Sequence, residues 1–271
     1  MTKSALRVAV IGAGNWGGSL VAGLKRAQIV PCEVVKRNGW RRAKLDARVI
    51  WICVPDGAIA AVAEKIAVRR GNLRGQIVVH SSGALGVDVL ESARWAGAKI
   101  AAVHPVMSFP TRRVVPLEGV MFGVEARDAA VRRELSALVR RMGGVSFAMK
   151  AEDKALYHAA GIFASPLLVA ELTAAMKTAE LAGLDAKTAR AWVKALAEAT
   201  VRNVFARGPE RSFSGPFARG DVETIRLHLE ALAEHPILNE VYRALARHAL
   251  STLPVKNRLA IEKAIGRRRI H

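Results

Sequence analysis

Acid is scarce in this sequence: 23 Asp and Glu stand against 42 Lys and Arg, a formal charge of +19 over 271 residues. Such an excess keeps a nucleic-acid partner in view, because Lys and Arg neutralise phosphates without any sequence code. The basic residues are scattered, however. No zinc-finger spacing, helix-turn-helix pattern or aromatic-interleaved basic motif accompanies them, which disfavours nucleic acid. Cysteine is nearly absent. Cys32 and Cys53 both fall in apolar runs, which excludes a disulfide framework and a cysteine metal knuckle; no metal is expected. Two buried structural thiols in a cytoplasmic protein are the expectation. Aromatics make up only 5%, so the core must be built from Ala, Val and Leu, as when helices pack closely on a sheet. Long uninterrupted hydrophobic runs are missing too. "AAGIFASPLLVAELTAAM" is broken by Pro166 and Glu171 and reads as a buried or dimer-forming helix rather than a membrane span. "LRVAVIG" near the N-terminus is too short for a signal peptide before glycines interrupt it.

What is present is an alternation. Five apolar runs, at 6–12, 30–35, 48–54, 75–80 and 98–104, are rich in Val and Ile and do not alternate with polar residues. That is the pattern of parallel strands covered on both faces. Helical patterns lie between them at 15–28, 57–69 and 86–96. Weaker strands at 119–126 and 145–149 flank the helix "DAAVRRELSALVRRMG". The series predicts an α/β fold, a Rossmann doubly wound parallel sheet, over residues 1–150. From 151 to 271 the strand pattern stops, and helical segments at 151–182, 185–207, 221–233 and 237–248 predict an all-α C-terminal domain. A basic tail, "GRRRIH", ends the chain.

Directly after the first strand, "GAGNWG" sets Gly12, Gly14 and Gly17 in GxGxxG spacing around Asn15 and Trp16. Gly12 permits a tight turn, Gly14 lets a pyrophosphate approach the backbone, and Gly17 lets the helix pack on the strand. At the end of the second strand, an NAD-binding chain usually carries an acid for the ribose hydroxyl. This chain has "VVKRN", with Lys36, Arg37 and Asn38 there and Arg41 and Arg42 one turn on. A guanidinium fork matches a 2′-phosphate, which points to NADP(H). The third strand ends in Val54, Pro55 and Asp56; backbone contact with the cofactor is expected at Val54 and Pro55, and Asp56 is a contact or an N-cap.

Polar residues gather at later strand ends. "HSSG" brings His80, Ser81 and Ser82, and "HPVMSF" brings His104, all near the lip where a nicotinamide would sit. Farther on, Lys154, His158, Gly161 and Ser165 share one helical stripe. Reduction of a carbonyl or imine needs a proton donor, and Lys154, His158 or His104 meets that need. Pro166 is expected to kink this helix. Arg219, in the Gly-flanked "GPFARGD", is a candidate carboxylate clamp, with Asp221 an N-cap supported by Thr224.

Together, "GAGNWG", "CVPD", "HSSG", "HPVMSF", "KALYHAA" and "GPFARGD" resemble the two-domain Rossmann-like oxidoreductases related to ketopantoate reductase, pyrroline-5-carboxylate reductase and the 6-phosphogluconate dehydrogenase superfamily. The resemblance implies NADPH-dependent hydride transfer to a small keto acid, ketopantoate being the leading instance, or to a related carbonyl or imine. It also implies a homodimer formed through the helical domain. By analogy it makes Lys154 the proton donor, places His158 where related enzymes carry a polar residue, and carries His104 and Ser82 over as substrate-acting residues, as in prephenate dehydrogenases. Where the branch often reads Ser-Asn, this chain has Ser165-Pro166, with Ser165 kept as a substrate contact. Two other classes stay open: an NADPH-binding regulator without catalysis, and a basic nucleic-acid-binding protein on a Rossmann scaffold.

Overall fold

The computed structural model describes residues 6–29, 31 and 33–266. Cys32 and the basic tail beyond Gly266 lie outside the described residues, so the reading of Cys32 as a buried thiol is not addressed. The chain divides into two compact units, Met1–Phe163 and Ala164–His271.

The first unit is a seven-stranded sheet in the order β2-β1-β3-β4-β5-β6-β7. Its elements are β1 (Val8–Ile11), α1 (Asn15–Arg26), β2 (Glu33–Val35), β3 (Val49–Ile52), α2 (Ile59–Arg70), β4 (Ile77–His80), α3 (Glu91–Trp95), β5 (Lys99–Pro105), β6 (Met121–Glu125), α4 (Ala129–Arg141), β7 (Val145–Ala148) and α5 (Lys154–Ile162). The continuous apolar runs become strands buried on both faces. Val8, Val10, Trp51 and Val79 face one helical layer, with Leu20 and Leu24 of α1 and Leu135 and Leu138 of α4. Ala9, Ile11, Ile50 and Val78 face the other, with Ile59 and Ile66 of α2 and Ala93 of α3. Side chains alternate across a strand, so period two within an all-apolar run fills both layers.

The sheet is not wholly parallel as expected. β5 pairs antiparallel with β6, from Ala102↔Glu125 to Pro105↔Phe122, and the other neighbours pair parallel. The reason lies in the connection: no crossover helix separates β5 from β6, and without one the chain returns alongside in the opposite direction. Residues 106–120 instead form a long strap.

The division between units falls after Phe163, later than the composition change near 150 suggested. α5 packs with the first unit because its side chains are held there, as described below. At Pro166 the backbone widens into a single π-turn over Phe163–Leu167. A π-turn accommodates the missing amide and the ring, which is how this helix absorbs the expected kink.

The second unit is helical throughout its described residues: α6 (Leu168–Leu181), α7 (Ala186–Arg207), α8 (Pro209–Ser212), α9 (Gly215–Arg219), α10 (Val222–Ala231), α11 (Pro236–Thr252) and α12 (Arg258–Ile265). Asp221 caps α10 by accepting from Thr224 N and the Thr224 hydroxyl, as the sequence suggested. Short α8 and α9, and α12 beyond Pro254, escaped the periodicity reading. The core joins Ile225 and Leu229, Ala246 and Leu250, and Ile261 and Ile265. α6 and α7 contribute little to it. Trp192, Leu196 and Phe205 are 55%, 59% and 87% exposed, and Val169 is 63% exposed. The helical run Lys154–Leu181 is long and apolar enough to cross a membrane by length and composition; the most apolar stretch within it is not buried within the chain, which removes the buried alternative for it and leaves the dimer-forming one open.

Candidate active site at the switch point of the sheet

β1 lies between β2 and β3, so successive connections leave it in opposite directions and a crevice opens beyond the carboxyl ends of β1 and β3. The glycine loop stands there. Gly12 has φ +93°, and a Cβ on it would lie 2.4 Å from the Cys53 carbonyl oxygen. A Cβ on Gly17 would lie 1.9 Å from the Gly12 oxygen. Both glycines are demanded by the protein's own packing. Gly14 differs: nothing lies within 4 Å of the place its Cβ would take. It is the N-cap of α1, no side chain caps it, and no acid occupies the first turn. Free N–H groups at a positive helix end beside an open backbone fit a pyrophosphate.

The basic segment after β2 turns tightly, with Gly39 N donating to Lys36 O at 2.8 Å. Lys36, Arg37 and Asn38 are exposed. The nearby acid, Glu33, is occupied by the backbone amides of Lys44 and Leu45. Among the described residues, Lys36, Arg37, Arg41 and Arg42 form no ion pair with an acid, so this loop has cationic donors to offer a phosphate.

Between the glycine loop and the ends of β3, β4 and β5 lies a cleft of about 330 Å³, lined by Gly14, Asn15, Trp16, Val54, Pro55, Asp56, Ser81, His104, Met107 and Phe109, among others. The Ser81 oxygen accepts from both Trp16 Nε1 and Trp51 Nε1, each at 2.8 Å. That fixes the Trp16 indole, which also meets the Phe109 ring at 5.1 Å. Burial holds the Cys53 thiol well above its ordinary range, consistent with an unreactive structural cysteine.

Ser82 and His80 turn away from this cleft. His80 is fully buried. Its Nε2 donates to Gly86 O at 3.2 Å and its Nδ1 accepts from Ser82 N at 3.1 Å. Only the neutral ring makes both bonds, and burial, with Lys154 nearby, lowers its pKa to about 4. Ser82 is buried, donates its hydroxyl to Asp56 Oδ2 at 2.8 Å and accepts from Ala84 N and Leu85 N. Its hydrogen-bonding capacity is spent on shaping the loop. Asp56, read as a contact or an N-cap, caps no helix with its side chain and holds Ser82 instead.

His104 is the candidate that reaches the cleft. Its Nδ1 bonds the Tyr157 hydroxyl at 2.6 Å, and its Nε2, without a hydrogen bond among the described residues, lies beside Gly83. A Cβ on Gly83 would stand 2.7 Å from that nitrogen and 2.7 Å from His158 Cδ2, so the glycine makes room for both rings. The His158 ring centre is 6.2 Å from that of His104. Burial, then His158, then Lys154 lower the His104 pKa to about 4, and burial raises that of Tyr157 to about 12. Both are neutral at neutral pH.

Lys154 takes a different place from its expected one. It is 3% exposed, lies outside the residues lining the cleft, and donates to Glu125 Oε2 at 2.7 Å. The other oxygen, Glu125 Oε1, accepts from Val87 N at 3.2 Å. This buried pair ties the start of α5 to the end of β6 and to the turn after "HSSG". Tyr157 and Glu125 were missed in the sequence. The signal for Glu125 was a lone acid closing an apolar strand, which demands a buried partner. Ser165 lies in the π-turn, and Arg219 is exposed at the end of α9; both belong to the second unit.

This is a Rossmann-like α/β unit followed by a helical unit. Residues 34–105 match the family model described as "Rossmann-like domain", and residues 120–249 match "Domain of unknown function (DUF2520)". The second match begins at β6, so it takes in the end of the first unit as well as most of the helical unit. Comparison with curated proteins finds no match. Among solved structures, protein TM1727 of Thermotoga maritima is similar at 23% identity and TM-score 0.68, over 90% of this chain and 98% of that one. Pyrroline carboxylate reductase of Plasmodium falciparum, solved with NADP bound, is similar at 14% identity and TM-score 0.60, over 96% and 97%. A reductive aminase of Aspergillus terreus, in complex with NADPH and ethyl levulinate, is similar at 14% and 0.59, over 96% and 99%. These likenesses establish the shared fold.

His80 and His104 give the native state a signature in acid. Their folded pKa values, about 4, lie below the ~6.5 of an unfolded histidine. Between those values the unfolded chain binds more protons, so stability rises with pH through this window and is lost as pH falls. Urea midpoints should drop between pH 7 and pH 4.5, and His80→Gln should flatten that slope. The same slope in the variant would count against a neutral buried His80.

Proposed function

We propose that this chain is an NADPH-dependent oxidoreductase that reduces a small carbonyl or imine. The observation that carries the reading is that His104, hydrogen-bonded to Tyr157, shares one cleft with the open glycine loop. Support comes also from the acid-free cluster of Lys36 and Arg37 after β2, suited to a 2′-phosphate, and from similar folds described with NADP or NADPH. The pyrophosphate would lie on the N–H groups from Gly14 to Trp16, with Val54 and Pro55 along its flank. Bound there, the nicotinamide supplies hydride to the substrate carbon.

The protein's part is to hold and deliver a proton. His104, neutral, presents Nε2–H toward the cleft while Nδ1 accepts from Tyr157. As Nε2 gives its proton to the substrate oxygen or nitrogen, Nδ1 takes the Tyr157 proton, and the half-buried tyrosine recovers one from solvent. Lys154 then acts as a positioning residue: with Glu125 it holds the start of α5 so that Tyr157 meets His104. The cleft's lining includes no Lys or Arg, so a keto acid substrate would need a helix N-terminus as its clamp in this unit.

Fluorescence titration should show NADPH binding at least about tenfold tighter than NADH, with Lys36→Ala/Arg37→Ala abolishing the difference. Equal affinities in the unaltered protein would refute the 2′-phosphate assignment. NADPH oxidation against a panel of keto acids, ketones and cyclic imines tests the reaction; tight binding without turnover on any of them would favour a regulator.

Tyr157→Phe should lower kcat by about a hundredfold with NADPH affinity unchanged. A variant with full rate would exclude the proton pathway.

The apolar faces of α6 and α7 suit a second copy of this chain, which gives a homodimer through the helical unit. Light scattering should read a dimer mass, and Trp192→Glu/Phe205→Glu should read a monomer. An unchanged mass in that variant would remove this interface, and recovery of the unaltered protein in membranes would instead favour a span at Lys154–Leu181.

A further inference from the structure

The connection from β5 to β6 is bound along one side of α1. Asn15 Nδ2 donates to Phe109 O at 2.8 Å, and Val115 N donates to the Ser19 hydroxyl oxygen at 3.0 Å. Farther on, buried Leu117 fills the space above Gly23, where a Cβ would stand 2.5 Å from Leu117 Cδ1, and Glu118 pairs with Arg26 at 3.5 Å. Residues 15, 19, 23 and 26 form one helical stripe, so the strap runs the length of the helix whose N-terminus carries the glycine loop.

Two feet of this strap stand on the first turns of α1, at Phe109 and Val115. Between them come Pro110, Thr111, Arg112, Arg113 and Val114. At most about 3.5 Å of chain per residue separates neighbours. The Arg113 Cα therefore lies within about 7 Å of that of Val115, and the Arg112 Cα within about 10 Å of that of Phe109. Both arginines are exposed, and neither forms an ion pair among the described residues. The acid nearest along the strap, Glu118, is turned to Arg26 beyond the second foot. Two uncommitted guanidinium groups are thus tethered beside the uncapped end of α1.

We infer that Arg112 and Arg113 are the counter-ions of the dinucleotide's pyrophosphate, and that the strap carries them to the cofactor from above the glycine loop. This rests on the cofactor reading given above. A pyrophosphate brings two negative charges to a helix end that offers N–H groups and no side chain; paired guanidinium forks supply the missing charge. The Lys36 and Arg37 cluster serves a different phosphate, the one on the 2′ position of the adenosine ribose.

Titration of the full chain with NADPH, NADH and 2′-AMP, followed by tryptophan fluorescence, separates the two sites. Arg112→Ala/Arg113→Ala should weaken NADPH and NADH alike by about tenfold, leave 2′-AMP affinity unchanged, and steepen neither urea unfolding nor its midpoint. Lys36→Ala/Arg37→Ala should weaken NADPH and 2′-AMP and spare NADH. Unaltered NADPH and NADH affinities in the strap variant would overturn the inference while leaving the cofactor reading intact. Binding of neither dinucleotide by the unaltered protein would overturn both.

Discussion

The first unit's site depends on one buried ion pair. Lys154 and Glu125 are both almost wholly removed from water, at 4% and 7% side-chain exposure, and stand 2.7 Å apart. Burying either charge without the other is strongly unfavourable, and losing one partner of such a pair typically costs about 3–5 kcal/mol. The pair therefore selects geometry: it accepts only arrangements in which the start of α5, the end of β6 and the amide of Val87 come together. The meeting of His104 with Tyr157 follows from that requirement, because Tyr157 lies one turn beyond Lys154. His80 and His104 are neutral chiefly because they are buried, and the lysine's charge adds to that effect.

Around this point the fold separates shape from chemistry. Ser82, His80 and Asp56 bond to one another and to backbone, and they give the "HSSG" loop its form. Ser81, one residue away, faces the cleft and holds the Trp16 indole. Gly83 then leaves space for two imidazoles. Four successive residues thus divide three duties between them, set by the alternation at a strand's end followed by a tight turn.

That division explains what could be read beforehand. The sheet was legible because parallel strands buried on both faces must be continuously apolar, and the glycine loop because Gly12 and Gly17 have backbone atoms where a Cβ would go. The basic segment after β2 was legible from its position in the order of elements. The antiparallel β6 was not, since an apolar strand looks alike in either direction and only the missing crossover helix betrays it. Tyr157 stayed hidden because its partner is 53 residues distant and its neighbours Lys154 and His158 drew attention as more acidic or basic groups. Lys154 was legible as a candidate because a lysine's usefulness is plain in a sequence; its counter-charge was not, since Glu125 supplies it from the end of β6.

The strap has a consequence in time. Its two feet join residues separated by 94 and 96 positions, and Leu117 is what covers the bare flank of α1 at Gly23. A ribosome adds about 5–20 residues each second, so for roughly 5–20 s α1 exists with that flank uncovered. Contacts so distant in the chain also close slowly, since loop entropy is lost before the contact rewards it. The glycine loop, written first, waits for a segment nearly a hundred residues later to be completed, and during that interval α1 presents the unbonded side chain of Asn15 and the bare backbone of Gly23 to whatever else is near.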